Sequence, residues 1–239
     1  MKTILLKFAG PLQSWGTSSY FETRHTDFYP SKSGVIGLLA ACMGYRRDED
    51  TKTQKLNELD FAVRIDQPGR LLKDYHTAEK IKANSEVDRT YVTNRYYLED
   101  AVFVVALSHS DKKFINSLEE GLRYPYFQPY MGRRALPLNA DFLIEITDES
   151  ALESLKRCEW QASEWYKKKW HNGKVTLDIY SDQDIAESNL KNIRKDRVIS
   201  FSQKERKFAF RLESVTNTVI NDDNTSTNTE HDFWDKIGE

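Results

Sequence analysis

The sequence contains few cysteines and no long apolar run, and both absences exclude classes of protein. Its 239 residues include only Cys42 and Cys158, and neither stands in a CxxC or Cys/His spacing that would indicate a structural zinc site. No stretch approaches the roughly 18 apolar residues that a membrane helix needs. Lys7 interrupts the N-terminal apolar run too early for a signal peptide. We therefore expect a cytoplasmic protein without metal, other cofactor or membrane contact.

A strong overall charge is also absent, because the net charge is −2. This balance conceals an uneven distribution along the chain. Residues 221–239 hold six acids and one base, whereas residues 191–211 hold eight bases and two acids. The basic stretch favours a polyanionic partner, for which the overall charge gives no indication.

The common catalytic patterns are missing as well. The segment PSKSGVIG resembles a phosphate loop, but the Walker pattern would require glycine where Thr26 and Ser31 stand. Paired carboxylates and a nucleophile elbow are not visible. The five histidines occur singly, although His25 beside Arg24, or His76 beside Tyr75, could serve in metal-independent RNA cleavage. We expect no catalytic residue, and RNA cleavage stays the alternative.

The hydrophobic pattern predicts an α+β fold. Residues 70–99 lack apolar periodicity at their centre and alternate in both arms, which indicates a long β-hairpin. Ser110 is the expected N-cap of the second helix. The other predicted elements are strands at 3–8, 61–66, 101–107 and 142–146 and helices at about 31–43 and 111–121. Without the hairpin, this is the βαββαβ order of a ferredoxin-like (RRM-related) domain.

Three regions follow from this pattern. Residues 1–147 are the expected ferredoxin-like domain, and residues 148–219 are the expected small C-terminal domain. Residues 220–239 are rich in Asn, Asp, Thr and Ser and are the expected disordered tail.

The beginning of the first helix is a candidate phosphate site. Ser31, Lys32, Ser33 and Gly34 combine free backbone N–H groups, two hydroxyls and one ammonium at the positive end of the helix dipole. The alternative is an ordinary N-cap beside a solvated lysine. Trp15 has two readings as well, since it could stack on an RNA base or belong to the core. Arginines at positions 24, 46, 47, 133 and 134 are phosphate clamps or surface ion-pair partners.

Six segments, taken together and in order, resemble the CasD family, the handle-binding subunits of type I-E CRISPR Cascade complexes. They span about residues 3–212, and PSKSGVIGLLAA after GPLQSWG is the most specific part. The segments are GPLQSWG (10–16), FETRHTDFYPSKSGVIGLLAACMGYRRDED (21–50), LLKDYHT (71–77), RYYLEDAVFVVAL (95–107), PYMGRRALPL (129–138) and RKFAFR (206–211). The tail resembles nothing known to us.

The resemblance implies a RAMP protein with a modified ferredoxin-like domain, a thumb hairpin at about residues 73–99 and a small C-terminal domain. Such subunits cap the 5′ handle of the CRISPR RNA (crRNA), pack against the backbone subunit CasC and help to dock the large subunit CasA. Target DNA would then be met only through the complex. A separate subunit, CasE, cuts the precursor in type I-E systems, whereas the homologous subunit of type I-C systems is itself the endoribonuclease. The type I-E pattern here implies binding without catalysis.

Our hypothesis for the RNA contacts follows from this resemblance. Handle phosphates would bind Ser31, Lys32, Ser33 and Gly34, and Arg24 and Arg47 would hold neighbouring phosphates. Sugars or bases would contact Gln13, Ser14 and Trp15. A second group, which would face either RNA or another subunit, consists of Arg133, Arg134 and Arg197.

Overall fold

The computed structural model describes residues 1–18, 22–169, 174–186 and 190–221. Within these residues the chain has a mixed α+β fold. The strands are β1 (Lys2–Ala9), β2 (Leu12–Gln13), β3 (Thr23–Arg24), β4 (Asp60–Gln67), β5 (Arg70–Ile81), β6 (Val87–Glu99), β7 (Val102–His109), β8 (Leu143–Thr147), β9 (Lys174–Asp182), β10 (Lys191–Ser200) and β11 (Lys207–Asn221). The helices are α1 (Lys32–Cys42), α2 (Asp50–Lys55), α3 (Lys112–Arg123), α4 (Ala151–Arg157) and α5 (Glu164–Lys167).

Seven strands form the main sheet, in the order β10-β11-β9-β4-β7-β1-β8. All of its pairings are antiparallel. Side chains alternate between its faces, as the period of two in a strand requires. Ile4, Leu6 and Phe8 of β1 belong to the larger core with α1 and α3. Leu5 points to the opposite face, where it packs with residues of α4.

The predicted strands and both long predicted helices are confirmed as elements, with small differences at their ends. The prediction that Ser110 is the N-cap of α3 was wrong. Asp111, and not Ser110, accepts hydrogen bonds from the backbone N–H groups of Lys113 and Phe114. A carboxylate is a good acceptor at this position, and its charge also favours the positive end of the helix dipole.

The predicted hairpin consists of β5 and β6, which pair from Arg70 opposite Glu99 to Ile81 opposite Val87. Most of its side chains are exposed. At its base, β2 pairs with the last residues of β6. Strand β3 runs parallel to β6, with Arg24 opposite Arg95. The segment after β1 is therefore fixed to the base of the hairpin.

The C-terminal strands β9, β10 and β11 extend the same sheet, with β9 beside β4. The division into domains at residues 147 and 148 stays a prediction, although these strands share a sheet with the N-terminal region. Strand β11 continues through Asn221, so the segment predicted to be disordered from residue 220 begins inside a strand. Residues 222–239, the rest of the predicted tail, lie outside the described residues.

A buried ion pair joins α4 and the segment after it to the sheet. Arg64 and Asp66 of β4 are both fully buried, and Arg64 Nε lies 2.7 Å from Asp66 Oδ1. The Arg64 guanidinium also donates to the carbonyl oxygens of Leu155, Cys158 and Glu159. Because these carbonyls lie at the end of α4, a sheet arginine satisfies groups that the helix leaves unpaired.

Candidate nucleic-acid interface

The N-terminus of α1 is occupied by side chains of the protein itself. The Ser31 hydroxyl caps the helix by accepting from the Gly34 N–H. The backbone N–H of Lys32 donates to Oδ2 of Asp196, at 2.9 Å. Asp196 is fully buried. An internal carboxylate therefore fills the anion site that a helix N-terminus provides.

The Lys32 ammonium points inward. It donates to the carbonyl oxygens of Asn57 (3.1 Å) and Leu59 (2.8 Å) and to Oδ2 of Asp182 (2.7 Å). Lys32 is only 6% exposed. Its charge is therefore neutralised inside the fold and does not reach the surface.

These contacts favour the alternative of an internal N-cap, and phosphate binding at the helix start stays a prediction without support from them. Ser31, Lys32 and Ser33 are buried. Gly34 packs against Trp15, so closely that an added Cβ would lie 3.1 Å from the indole ring. The segment attaches α1 to β9 and β10, and in the described structure a phosphate would have to displace Asp196 to reach the N–H of Lys32.

A buried network of charges continues from this point. Arg211 donates to Asp196 (2.7 Å), Asp182 (3.1 Å) and Glu213 (2.8 Å). The Tyr29 hydroxyl donates to Oε2 of Glu213 at 2.7 Å. Burial raises the pKa of Tyr29 far above its ordinary value, with the Glu213 carboxylate contributing in the same direction. This tyrosine therefore stays a neutral donor at physiological pH.

Asp60 lies beside this network, and its ionised carboxylate is expected to reduce the stability of the folded protein. Burial, and next the charge of Asp182, raise the pKa of Asp60 above its ordinary value of 3.8. The folded state consequently holds this proton more tightly than the unfolded chain does. Stability is therefore lost as pH rises from the pKa of Asp60 in the unfolded chain through its raised pKa in the folded protein. We expect Asp60→Asn to raise the midpoint of thermal unfolding at pH 7, with a difference that shrinks as pH approaches 4.

Asp182→Asn is the matched control for this prediction. Asp182 accepts hydrogen bonds from Lys32, Arg211 and the Phe61 N–H. Its replacement should therefore lower the midpoint at pH 7. A lower midpoint for Asp60→Asn would contradict the assignment.

The residues of GPLQSWG are also internal. The Gln13 amide donates to the carbonyl oxygens of Phe8 (3.1 Å) and Ala101 (2.8 Å) and accepts from the Trp15 indole N–H (3.0 Å). Trp15 stacks on Phe8 with 5.1 Å between ring centroids. Both side chains and Ser14 are buried. Trp15 is therefore a core residue in this structure, and contacts of Gln13, Ser14 and Trp15 to sugars or bases stay a prediction that their burial does not favour.

Three arginines lie together at the base of the hairpin. Nη2 of Arg133 donates to the carbonyl oxygens of Arg24 and Tyr96, each at 3.0 Å. Its guanidinium lies over the Tyr97 ring, 4.2 Å from the centroid. Since Arg24 is the strand partner of Arg95, these three residues form one group, which we call the hairpin-base cluster (Arg24, Arg95 and Arg133).

Two donors in this cluster lack a hydrogen-bond acceptor within the described residues. They are Nε of Arg95 and Nη1 of Arg133. A buried polar group without a partner is costly, so such groups often mark a place for a ligand or for water. Guanidinium donors of this kind suit a phosphate oxygen. Arg95 was not among the predicted site residues, and its only signal was a base in the hairpin arm RYYLED.

The loop that carries Arg133 is held tightly against GPLQSWG. The Ser14 N–H donates to the Met131 carbonyl oxygen at 3.2 Å. Gly132 has φ +84°, and a Cβ there would lie 1.6 Å from the Ser14 carbonyl oxygen. Only glycine fits this close approach. The buried GPLQSWG segment thus supports the arginine loop.

The other predicted arginines are separate surface residues. Arg134 is exposed directly after the cluster, Arg47 is exposed in the segment after α1, and Arg197 is exposed on β10. All three side chains are accessible to an anion.

His25 lies next to the hairpin-base cluster. Its ring stacks on Tyr96, with 5.3 Å between centroids. His76 lies elsewhere in the hairpin, with Nδ1 3.5 Å from the Thr93 hydroxyl. The two histidines therefore have different surroundings, and His25 has Tyr96 and Arg24 as neighbours.

The described part of the chain contains neither a cluster of metal ligands nor a membrane-spanning helix. No three His, Cys, Asp or Glu residues there come together as a metal site. None of the helices described there is long and apolar enough to span a membrane.

The fold and sequence place the chain among CRISPR-associated proteins. One similar solved structure is described as a CRISPR RNA-guided surveillance complex, with a TM-score of 0.75 and 31% identity, covering 92% of this chain and 91% of that one. Another, described as a Cas protein, has a TM-score of 0.63 and 30% identity, covering 92% and 95%. The CRISPR system Cascade subunit CasD of Escherichia coli (strain K12) is 35% identical over 207 residues, which are 81% of this chain and 87% of that protein.

The family itself is shown by a match to residues 3–212. The matching family is described as CRISPR-associated protein (Cas_Cas5). The chain belongs to this family, and the resemblance found in the sequence is confirmed.

Proposed function

We propose that the protein is a non-catalytic RNA-binding subunit of a type I-E CRISPR Cascade complex and caps the 5′ handle of the crRNA in the cytoplasm. The observation that carries this proposal is the 35% identity to a Cascade subunit over most of both chains. The unsatisfied donors of Arg95 and Arg133 give independent support, because they suit an anionic ligand at the base of the hairpin.

The proposal includes a finer description of the fold. The four strands at one end of the main sheet have the order β8-β1-β7-β4, and along the chain they are fourth, first, third and second, with α1 and α3 between them. We interpret this arrangement as ferredoxin-like. The β5–β6 hairpin would then be the thumb, and its exposed surface would be available to RNA and to neighbouring subunits.

The structure favours a different set of candidate RNA-binding residues from the one expected from the sequence. Arg24, Arg95, Arg133 and Arg134 are now the main candidates, and Arg47 and Arg197 are secondary. Contacts to phosphates would supply most of the affinity and its salt dependence, while a few unstacked handle bases would provide sequence recognition. The neighbours would be the backbone subunit CasC and the large subunit CasA, with target DNA reached only through the assembled complex.

The test is incubation of the purified protein with labelled repeat RNA, with and without a chelator. We expect the RNA to stay intact and the protein to bind the handle more tightly than a scrambled RNA of equal length. Assembly with the other Cascade subunits should retain crRNA. Equal binding of both RNAs, together with assembly that retains no crRNA, would contradict the proposal.

Metal-independent cleavage of repeat RNA is the second candidate, and the His25–Tyr96 stack beside the arginines favours it. A histidine and a tyrosine can serve as proton donor and acceptor in such a reaction. Cleavage that persists with chelator and disappears in both His25→Ala and Tyr96→Phe would establish this activity. Cleavage that survives both changes would point to a contaminating nuclease.

A further inference from the structure

Arg194 belongs to the basic stretch 191–211, but its side chain is only 10% exposed. Its Nη2 donates to Oδ2 of Asp27 at 2.9 Å and to the carbonyl oxygen of Tyr29 at 3.3 Å. The guanidinium carbon also lies 4.2 Å from the centroid of the Tyr29 ring. One planar guanidinium therefore holds a carboxylate, a carbonyl and an aromatic ring of the same segment, which suits arginine and not lysine. We call these three residues the Arg194 clamp (Asp27, Tyr29 and Arg194).

The C-terminal strands hold Tyr29 at two further points. Its hydroxyl donates to Oε2 of Glu213 in β11 at 2.7 Å. Its ring stacks on Tyr180 of β9, with 4.0 Å between the ring centroids. Since Arg194 lies on β10, three neighbouring strands of the main sheet hold one end of the segment that joins β3 to α1.

The other end of this segment carries Arg24 of the hairpin-base cluster and the adjacent His25. The Arg24 carbonyl oxygen accepts from Arg133, and the His25 ring stacks on Tyr96. Strand β3, which ends at Arg24, has only two residues. Because so short a strand is weakly held by its own pairing, Arg24 and His25 depend on contacts beyond β3 for their position.

Thr26 connects the two ends of the segment. Its hydroxyl accepts from the backbone N–H of Trp15 at 2.9 Å and donates to the carbonyl oxygen of Asp27 at 3.0 Å. Trp15 is a core residue. Each residue from Arg24 to Asp27 therefore has a contact that fixes it, and contiguous contacts of this kind can carry coupling between two sites.

We propose that Arg194 is a positioning residue for the hairpin-base cluster. Through Asp27 and Tyr29 it holds Arg24 and His25 in place before a ligand arrives, so that binding does not have to order them. The C-terminal strands then contribute to RNA binding through the clamp. For its ligand this role rests on the function proposed above, whereas the positioning itself is a property of the free protein.

The position of His25 in the free protein is the first measurement. The ring current of Tyr96 shifts the Cε1 proton of a histidine stacked on it. Nuclear magnetic resonance with labelled histidine detects this proton at a pH where histidines are neutral, and Tyr96→Leu defines the signal without the stack. We expect Asp27→Ala and Arg194→Lys to move the His25 signal most of the way toward that of Tyr96→Leu. The control is Glu22→Ala, which removes an exposed acid just before β3 and should leave the signal unchanged.

The affinity for handle RNA is the second measurement. Removal of an acid near a nucleic-acid site should by itself strengthen RNA binding. If the clamp positions Arg24, Asp27→Ala should instead weaken binding by about fivefold at physiological salt, because binding must then order the Arg24 side chain. Asp27→Glu keeps the carboxylate and should lie between the wild type and Asp27→Ala. Glu22→Ala should bind at least as tightly as the wild type.

Three results would overturn the proposal. The first is a wild-type His25 signal in both Asp27→Ala and Arg194→Lys. The second is an equal gain in RNA affinity for Asp27→Ala and Glu22→Ala, since Asp27 would then act only through its charge. The third is a shifted His25 signal with wild-type affinity for handle RNA. A wild-type protein that binds handle RNA no better than scrambled RNA would contradict the function proposed above, but a shifted His25 signal in both clamp variants would still support the positioning role.

Discussion

Lys32→Met is expected to lower the free energy of unfolding by about 3 kcal/mol and to leave the salt dependence of RNA binding unchanged. Methionine retains most of the aliphatic stem but removes the charge between Asp182 and two carbonyl oxygens. Breaking a buried pair from one side leaves the other groups uncompensated, which is the costly case. Denaturant unfolding and RNA titrations at several salt concentrations measure the two effects separately.

The matched control is Lys112→Met. Lys112 also forms an ion pair, with Asp148, but both side chains are largely exposed. Its loss should change the free energy of unfolding very little, because exposed ion pairs contribute little to stability. If Lys32→Met left stability unchanged and made RNA binding less dependent on salt, Lys32 would contact phosphate after all, and the internal assignment would be wrong.

The second large effect is expected at the hairpin base. Arg95→Gln with Arg133→Gln should weaken binding of handle RNA by roughly 10- to 100-fold at physiological salt. Two lost phosphate contacts should also reduce the slope of log K against log salt by about 1.4, since each contact to a single strand contributes about 0.7. Fluorescence anisotropy with labelled handle RNA measures both quantities.

A control variant with the same change in net charge distinguishes direct contacts between the hairpin-base cluster and RNA from general electrostatic attraction between the protein and RNA. Lys112→Gln with Arg157→Gln removes two exposed bases of α3 and α4, each paired with acids at the surface. RNA affinity should change little in this variant. An equal loss in both double variants would mean that the hairpin-base cluster is not a specific site. Circular dichroism of Arg95→Gln with Arg133→Gln checks that the hairpin still forms, because Arg133 also contacts backbone carbonyls there.

The elements of the fold could be predicted because their signals are local. Ile4, Leu6 and Phe8 alternate with their neighbours as a strand requires, and Ser31 is a good N-cap directly before an apolar helix. The error at Ser110 was also local, since Asp111, one residue later, is an equally suitable cap. Strands and helix caps of this kind depend on patterns within a few neighbouring residues. A single sequence shows such patterns directly.

The role of each candidate side chain was harder to predict, because the same side chain can either contact RNA or make an internal contact in the fold. Lys32 beside serines at a helix start suits a phosphate, but its carboxylate partner, Asp182, is 150 residues away in the chain. Trp15 suits base stacking, but it packs on Phe8 in the core. Arg133 stays a predicted RNA contact, whereas Arg95 became a candidate only through the tertiary structure, which places it opposite Arg24.

By itself, the sequence determined the α+β character, the long hairpin, the uneven charge and the family, since composition, periodicity and motif order are properties of the chain alone. The tertiary structure decided which charges remain available to a partner. Pairing across the sheet placed Asp182, Asp196 and Glu213 around Lys32 and Arg211. Among the described residues, Nε of Arg95 and Nη1 of Arg133 have no acceptor. The physical reason is that neutralisation of a charge depends on distances between residues far apart in sequence.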